Sequence, residues 1–167
     1  MTLDSNRRCW LAAYTRSRYE HEVARQFGQK DLEHLLPTYE RLSRWSDRIK
    51  RTRTPLFPGY VFVRICESER LPVLQTLGVV HLVSVAGEPA ILSEEEVDRL
   101  RSCLSAGDVE PHPYLRIGRR VRVKHGPFAG WEGTLIDEQN SRRLVVNVEQ
   151  IQQSIAINLH RADVEPI

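Results

Sequence analysis

The chain has 167 residues, 41% hydrophobic and 28% charged, with a formal net charge of +2 at pH 7. That length suits one domain or two small ones, and the apolar share is enough to bury a core. The near-neutral total excludes a histone-like polycation but not nucleic-acid contact, because local charge matters more than the sum. Residues 1–53 carry 12 Lys+Arg against 7 Asp+Glu, residues 54–110 carry 4 against 9, and residues 111–167 carry 8 against 6. A basic first third and an acidic middle lie behind the total. No run approaches the roughly 18 apolar residues of a membrane span. The apolar run before Thr15 and Arg16 is too short for a signal peptide. A cytoplasmic protein without a membrane partner is therefore expected. Cys9, Cys66 and Cys103 are far apart and form no CxxC pair, so reduced thiols are expected, with neither zinc nor a disulfide.

In chain order, Trp10-Leu-Ala-Ala-Tyr14 reads as a buried strand and Thr15 to Ser17 as a turn. Tyr19, Val23 and Phe27 recur at i, i+4 and i+8, on one face of a helix. Residues 38–53 are basic and fit a pair of strands or an exposed hairpin whose turn the sequence does not locate. Pro55-Leu56-Phe57-Pro58-Gly59 is a rigid apolar turn, since Pro fixes φ and Gly permits positive φ. It feeds Tyr60 to Ile65, a β-branched and aromatic run typical of a central strand. Leu71, Leu74 and Leu77 fit a short helix ended by Gly78, and Val79 to Val85 reads as another strand. Ser93 and Glu96 form a capping box, followed by an apolar stripe of Val97, Leu100 and Leu104. Residues 105–115 lack periodicity and are the expected domain boundary.

Beyond it, Ile117, Val121 and Val123 alternate with Arg120, Arg122 and Lys124, as in a half-buried strand with a basic outer face. Thr134–Ile136, Leu144–Val148 and Ser154–Leu159 are further strand candidates. Short strands joined by tight turns within about 50 residues fit a small closed barrel. Leu144, Val148, Ile151, Ile155 and Leu159 also fit a helical stripe. The alternation of Ile155, Ile157 and Leu159 and the many β-branched residues favour strands.

Catalytic signatures are missing: the sequence holds no GxSxG, P-loop, HExxH or dinucleotide fingerprint. His112 lies between two prolines, a poor place for a preorganised base. No enzyme, catalytic residue, metal or cofactor is expected.

The segment from Val121 to Ile136 reads as strand, glycine turn, strand. Gly126, Gly130 and Gly133 would supply unusual backbone angles or close approaches, and Phe128, which follows Pro127, would plug the barrel. This spacing resembles the KOW motif of NusG-family and certain ribosomal proteins. Upstream, Trp10 to Tyr14, the charged loop, the amphipathic helix and Pro55-Leu-Phe-Pro-Gly-Tyr60-Val-Phe-Val63 resemble the NGN domain of NusG. The resemblance covers roughly residues 9–164, with both halves in the family's order. The segment Tyr39 to Leu56 is most similar to the specialised paralogs of the UpxY, LoaP and RfaH group.

The resemblance implies an α+β NGN domain over 8–105, with an antiparallel sheet flanked by helices, a linker over 106–115 and a small all-β SH3-like KOW barrel over 116–167. It implies a monomeric elongation or antitermination factor that binds the clamp helices of the largest RNA polymerase subunit. Leu56, Phe57, Pro58 and Tyr60 match the family's polymerase-contact run, and Trp10 and Tyr14 the adjacent strand. Arg16, Arg18 and His21 match the loop that in RfaH-like proteins meets non-template DNA. The KOW domain would contact a ribosomal protein or Rho. Two departures stand out. A His-Thr-Thr element of RfaH is replaced by Arg70-Leu71-Pro72-Val73, and an arginine before the next strand's glycine is replaced by Leu77. Residues Arg41 to Arg53 could track upstream DNA or RNA, but read chiefly as a solvated face. An alternative function, an RNA- or ribosome-binding protein acting without polymerase, rests on the Arg120, Arg122 and Lys124 face.

Overall fold

The computed structural model describes residues 6–45, 48–106, 109–112, 118–138, 141–159 and 164–167. The chain divides into two compact units, Met1–Asp98 and Arg99–Ile167.

In the first unit the chain runs through β1 (Cys9–Thr15), α1 (Glu20–Gln29), β2 (Glu33–Leu35), β3 (Thr38–Trp45), β4 (Arg48–Pro55) and β5 (Tyr60–Ile65). A short 3₁₀ turn leads to α2 (Arg70–Leu74), followed by β6 (Val79–Leu82), β7 (Ser84–Val85), β8 (Glu88–Pro89) and β9 (Ile91–Leu92). The central sheet has the order β2-β5-β1-β6, with β9 sharing the β1 edge, and all pairs are antiparallel. Strands β1 and β5 form its middle because both are apolar on two faces. Leu11, Ala13, Val61, Val63 and Ile65 meet Val23, Ala24 and Phe27 of α1 and Val73 of α2 in one buried cluster. Side chains also stitch α1 to the segment around α2. The Lys30 ammonium donates to the Pro72 carbonyl and the Thr76 hydroxyl, and the Gln26 amide donates to the Leu77 carbonyl.

Helix α2 departs from the expected pattern. It stops at Leu74 and buries Val73, while Leu71 and Leu77 are about 60% exposed (61% and 60%). The buried face of so short a helix is set by the one residue aimed at the core, and the leucine spacing does not reveal it. Gly78 has φ +99°, and a Cβ there would lie 2.6 Å from the Tyr19 ring. The expected strand from Val79 to Val85 splits at Val83, after which Ala86 and Gly87 (φ +52° and +83°) close a tight hairpin between β7 and β8. Two consecutive positive φ values suit the twist of such a ribbon.

Helix α3 (Glu94–Ala106) starts with the expected capping box. The Glu96 amide donates to the Ser93 hydroxyl at 3.2 Å, and the Ser93 amide donates to the Glu96 carboxylate at 2.7 Å. Val97 and Leu100 are buried as expected, but Cys103 rather than Leu104 completes the buried stripe. The boundary between the units falls within this helix, ahead of the expected one. All three cysteines are free.

In the second unit β10 (Val109–His112) precedes β11 (Arg119–Val123), β12 (Glu132–Glu138), β13 (Ser141–Val148), β14 (Gln153–Leu159) and β15 (Val164–Pro166). Part of the expected linker is thus a strand: Val109 to His112 pair with Ile157 to Ser154 of β14. Pro111 is accommodated because β10 is an edge strand, where a missing N–H is tolerated. The described pairings form one antiparallel path, β10-β14-β13-β12-β11-β15. Ser154, Ile155, Ala156 and Ile157 are all buried, so β14 is strand and not helix. The side chain of Leu159, and all of Ile117, lie outside the described residues.

Two outcomes follow from these environments. Gly87→Ala and Gly78→Ala both force alanine into positive φ, costing about 1–2 kcal/mol. Gly78→Ala also drives a methyl into Tyr19, and urea denaturation should show it less stable than Gly87→Ala by about a further 1–3 kcal/mol. Equal stabilities would show that the crowding at Gly78 is relieved for free. Burial pushes the Cys103 thiol up to about 12. A thiol reagent should therefore label Cys9 and Cys66 of the native protein and reach Cys103 only on unfolding.

Candidate functional site: an aromatic row beside the Pro-Gly turn

The turn before β5 is held by backbone bonds. The Leu56 amide donates to the Pro37 carbonyl (2.8 Å), the Tyr60 amide to the Phe57 carbonyl (3.1 Å), and the Thr15 amide to the Gly59 carbonyl (2.8 Å). Gly59 has φ +86°, and a Cβ there would sit 3.2 Å from the Tyr14 ring. Its own amide donates to the carboxylate of Glu20 at 2.8 Å. Glu20 is only 6% exposed, so this bond satisfies a buried acceptor as well as the turn.

That geometry separates the six residues expected to contact polymerase. Trp10, Leu56 and Phe57 are each 1% exposed and belong to the core. Phe57 packs edge-on against Phe62, with ring centroids 5.7 Å apart. The Trp10 indole donates to Glu94 at 3.0 Å. A direct surface role expected for these three is corrected accordingly: the turn folds the 56–57 side chains inward, and no strand alternation at that point tells the sequence which way they aim. Pro58 is exposed, Tyr60 half-buried, and Tyr14 exposed.

Tyr14 and Tyr60 are cross-strand partners between β1 and β5, and Tyr14 is the partner of His81 on β6. Three adjacent strands thereby present Tyr60, Tyr14 and His81 side by side. The Tyr14 ring lies 5.4 Å from Tyr60 and is stacked on His81 at 5.1 Å. Burial, followed by the neighbouring Tyr14, holds the Tyr60 phenol above its ordinary value, so it is a neutral donor. His81 was not singled out by the sequence. Only the register of β6 on β1 brings it beside Tyr14.

Arg16, Arg18 and His21 are all exposed on the turn between β1 and α1 and on the first turn of that helix. The Arg16 amide donates to the Gly78 carbonyl and the Arg16 carbonyl accepts from Tyr19, which fixes the turn. Arg18 has φ +67°, an uncommon conformation for a long side chain. Neither arginine is in an ion pair among the described residues.

In the second unit Gly126 and Gly130 have φ +90° and +83°, and a Cβ on Gly133 would lie 2.5 Å from the Val145 carbonyl. Pro127 is exposed, and Phe128 is buried edge-on to Trp131 at 5.8 Å. The basic face of β11 is compensated. Arg122 pairs with Glu132 at 2.5 Å and with Glu165 at 3.9 Å, Arg120 with Glu132 at 3.6 Å, and Lys124 with Glu165 at 3.9 Å. Two carboxylates between three cations leave little free charge for phosphate. No group of His, Cys, Asp and Glu among the described residues could hold a metal. No described helix is long and apolar enough to cross a membrane.

An α+β unit with an aromatic row on its sheet, followed by an all-antiparallel unit built on glycine turns, is the class of protein this fold and site define. The family model described as "Transcription termination factor nusG" matches residues 8–101, more than half of the chain. The chain belongs to the NusG family, whose members are transcription factors and not enzymes. It is similar to the transcription termination/antitermination protein NusG of Pasteurella multocida, with 28% identity covering 87% of this chain and 80% of that one. The NusG of Halalkalibacterium halodurans is also 28% identical, covering 95% of this chain and 98% of the relative. Among solved structures, one titled "Domain interaction in Thermotoga maritima NusG" aligns with a TM-score of 0.63 and 21% identity over 98% of this chain and 99% of that one.

The Glu20 bond is open to direct test. Glu20→Ala leaves the Gly59 amide without its acceptor and should cost about 1–3 kcal/mol in urea denaturation. Glu20→Gln keeps an acceptor oxygen and should recover most of that loss. Wild-type stability in Glu20→Ala would show that the turn does not need the bond.

Proposed function

We infer that this chain is a transcription elongation and antitermination factor that binds the clamp helices of the largest RNA polymerase subunit. The observation that carries the reading is the row of Tyr60, Tyr14 and His81, with the exposed Pro58 in the turn before Tyr60, on the unit that the family model matches. Exposed aromatic side chains are the usual anchors of protein interfaces. Trp10, Leu56 and Phe57 serve this surface from beneath, by fixing the strand and turn that carry it. Binding that favours the closed clamp over the paused, open one shifts a population and requires no bond chemistry.

Residues 8–105 act as the NGN domain and residues 116–167 as the KOW domain, with Gly126, Pro127, Phe128, Gly130 and Gly133 as its motif. The exposed Arg16, Arg18 and His21 meet non-template DNA, where arginine can hold phosphate or a base edge. The KOW domain contacts a ribosomal protein or Rho. The protein works in the cytoplasm as a monomer and as a specialised paralog, a reading supported by the resemblance of Tyr39 to Leu56 to that group. The alternative of RNA binding without polymerase loses support, because Glu132 and Glu165 compensate the β11 cations.

Pull-down with core RNA polymerase is the test. Tyr14→Ala combined with Tyr60→Ala should weaken binding at least about 30-fold, as loss of a hot spot worth 2 kcal/mol or more does, while the thermal melt stays cooperative. Failure of the wild type to bind, or wild-type binding by the folded double variant, would overturn the assignment.

A further inference from the structure

Across residues 71–80 six side chains are exposed, and five of them are apolar: Leu71, Pro72, Leu74, Leu77 and Val80, with Gln75 the exception. Single apolar residues scattered over a surface need no explanation, whereas a contiguous set marks a place of contact. Leu71 and Leu74 stand three apart on α2 and so share one side of it. At the far end β6 is bulged. Tyr14 pairs with His81 and Thr15 with Val79, which leaves Val80 as an extra residue in the strand. A bulge re-aims a side chain at a sheet edge, and Val80 is 51% exposed.

The backbone beneath these side chains is held from α1. The Lys30 ammonium donates to the Pro72 carbonyl and the Thr76 hydroxyl, and that hydroxyl donates in turn to the Pro72 carbonyl at 3.0 Å. The Gln26 amide holds the Leu77 carbonyl at 3.0 Å, and the Arg16 amide holds the Gly78 carbonyl at 2.8 Å. Val73 alone of α2 is buried, so the leucines do not serve the core. A segment fixed in place while it displays leucine to solvent gives up little entropy on binding.

The same bonds set the charge at its margins. Lys30 lies beside Pro72 and Arg16 beside Gly78, both exposed, and neither is in an ion pair among the described residues. The carboxylates of this region are engaged: Glu67 with Arg70, Glu69 with Arg8, and Glu22 with Arg25. A second copy on this surface would set like charges against each other. The fitting partner is apolar along its middle and acidic at its margins. The ridge of Leu71 and Leu74 packs into the groove of another helix, and an amphipathic helix combines both requirements.

We propose that the segment 71–80 is a docking surface for an acidic amphipathic helix of another protein. Its apolar stripe lies on Leu71, Leu74 and Leu77, and its carboxylates meet Lys30 and Arg16. This goes beyond the polymerase reading, and its test uses neither polymerase nor nucleic acid. Fluorescence anisotropy of the full chain reads binding of a labelled amphipathic peptide of about five helical turns, with leucine along one stripe and glutamate beside it. A twin peptide carries lysine in place of glutamate. The glutamate peptide should bind at least about tenfold more tightly than its twin, and added salt should narrow the gap. Leu71→Ser/Leu74→Ser/Leu77→Ser should weaken it at least about tenfold. Arg16→Glu, which keeps the backbone bond to Gly78, should weaken the glutamate peptide and strengthen the twin. Tyr14→Ala/Tyr60→Ala should bind as the wild type does, which separates this surface from the aromatic row. Thermal melts confirm folding, and the single variants Leu71→Ser and Leu77→Ser replace the triple one if it unfolds. Failure of the wild type to bind the glutamate peptide, equal binding of the twin, undiminished binding by folded leucine variants, or loss of binding in the tyrosine variant would overturn the proposal. So would sedimentation that shows a dimer dissociated by the leucine substitutions, because the occupant would then be a second copy.

Discussion

A single hydrogen bond ties together the elements that carry the aromatic row of this protein. The Gly59 amide, in a backbone conformation that only glycine adopts freely, reaches the buried carboxylate of Glu20 at the start of α1. Its carbonyl accepts from Thr15 at the end of β1. One residue thus ties a helix, a turn and the end of a strand together. With the turn fixed, Leu56 and Phe57 fall inside, Pro58 stays outside, and β5 starts in the register that sets Tyr60 against Tyr14. Low dielectric around the carboxylate strengthens the bond and makes its loss costly. The same glycine lets the chain pass close to the Tyr14 ring without a Cβ between them. Packing alone would tolerate several arrangements of an apolar turn, whereas this bond selects one.

The two units treat charge in opposite ways. In the second unit Arg120, Arg122 and Lys124 are matched by Glu132 and Glu165. Each pair is exposed and contributes little to stability, yet together they cancel a field that would otherwise attract any polyanion. Among the described residues, Arg51 alone of the cations on the β3–β4 ribbon of the first unit has an ion-pair partner. Between these extremes the aromatic row of Tyr60, Tyr14 and His81 contains no carboxylate, lysine or arginine. The chain therefore displays surfaces of distinct character, although its net charge is close to zero.

Much of the architecture was legible because period and punctuation agreed. Trp10 to Tyr14, the Tyr19/Val23/Phe27 face, the Ser93/Glu96 cap and the strands from Leu144 onward all appear where their patterns place them. Failures came where the deciding contact is remote in sequence. Five residues cannot fix the rotation of α2, so Val73 and not the leucines faces inward. The prolines around His112 read as a linker, but Pro111 is acceptable to an edge strand, and β14 needed a neighbour. Of the surface residues, Tyr14 and Tyr60 were visible as aromatics at the right spacing. His81 was not, since its place depends on how β6 registers against β1. Trp10, Leu56 and Phe57 show the converse: the motif marks them as important and says nothing about which way they point.

The ribbon has a second property that its register makes plain. Two strands have two outer edges, each a row of amides and carbonyls with no neighbouring strand among the described residues. Such edges invite pairing with the same edge of another molecule. The arginines and lysine spread along β3 and β4 guard against that, because two ribbons brought edge to edge would align like charges along their whole length. The apolar Leu42 and Ile49, which would otherwise reward such stacking, lie among those cations. The ribbon can remain long, exposed and extended without becoming a seed for fibres.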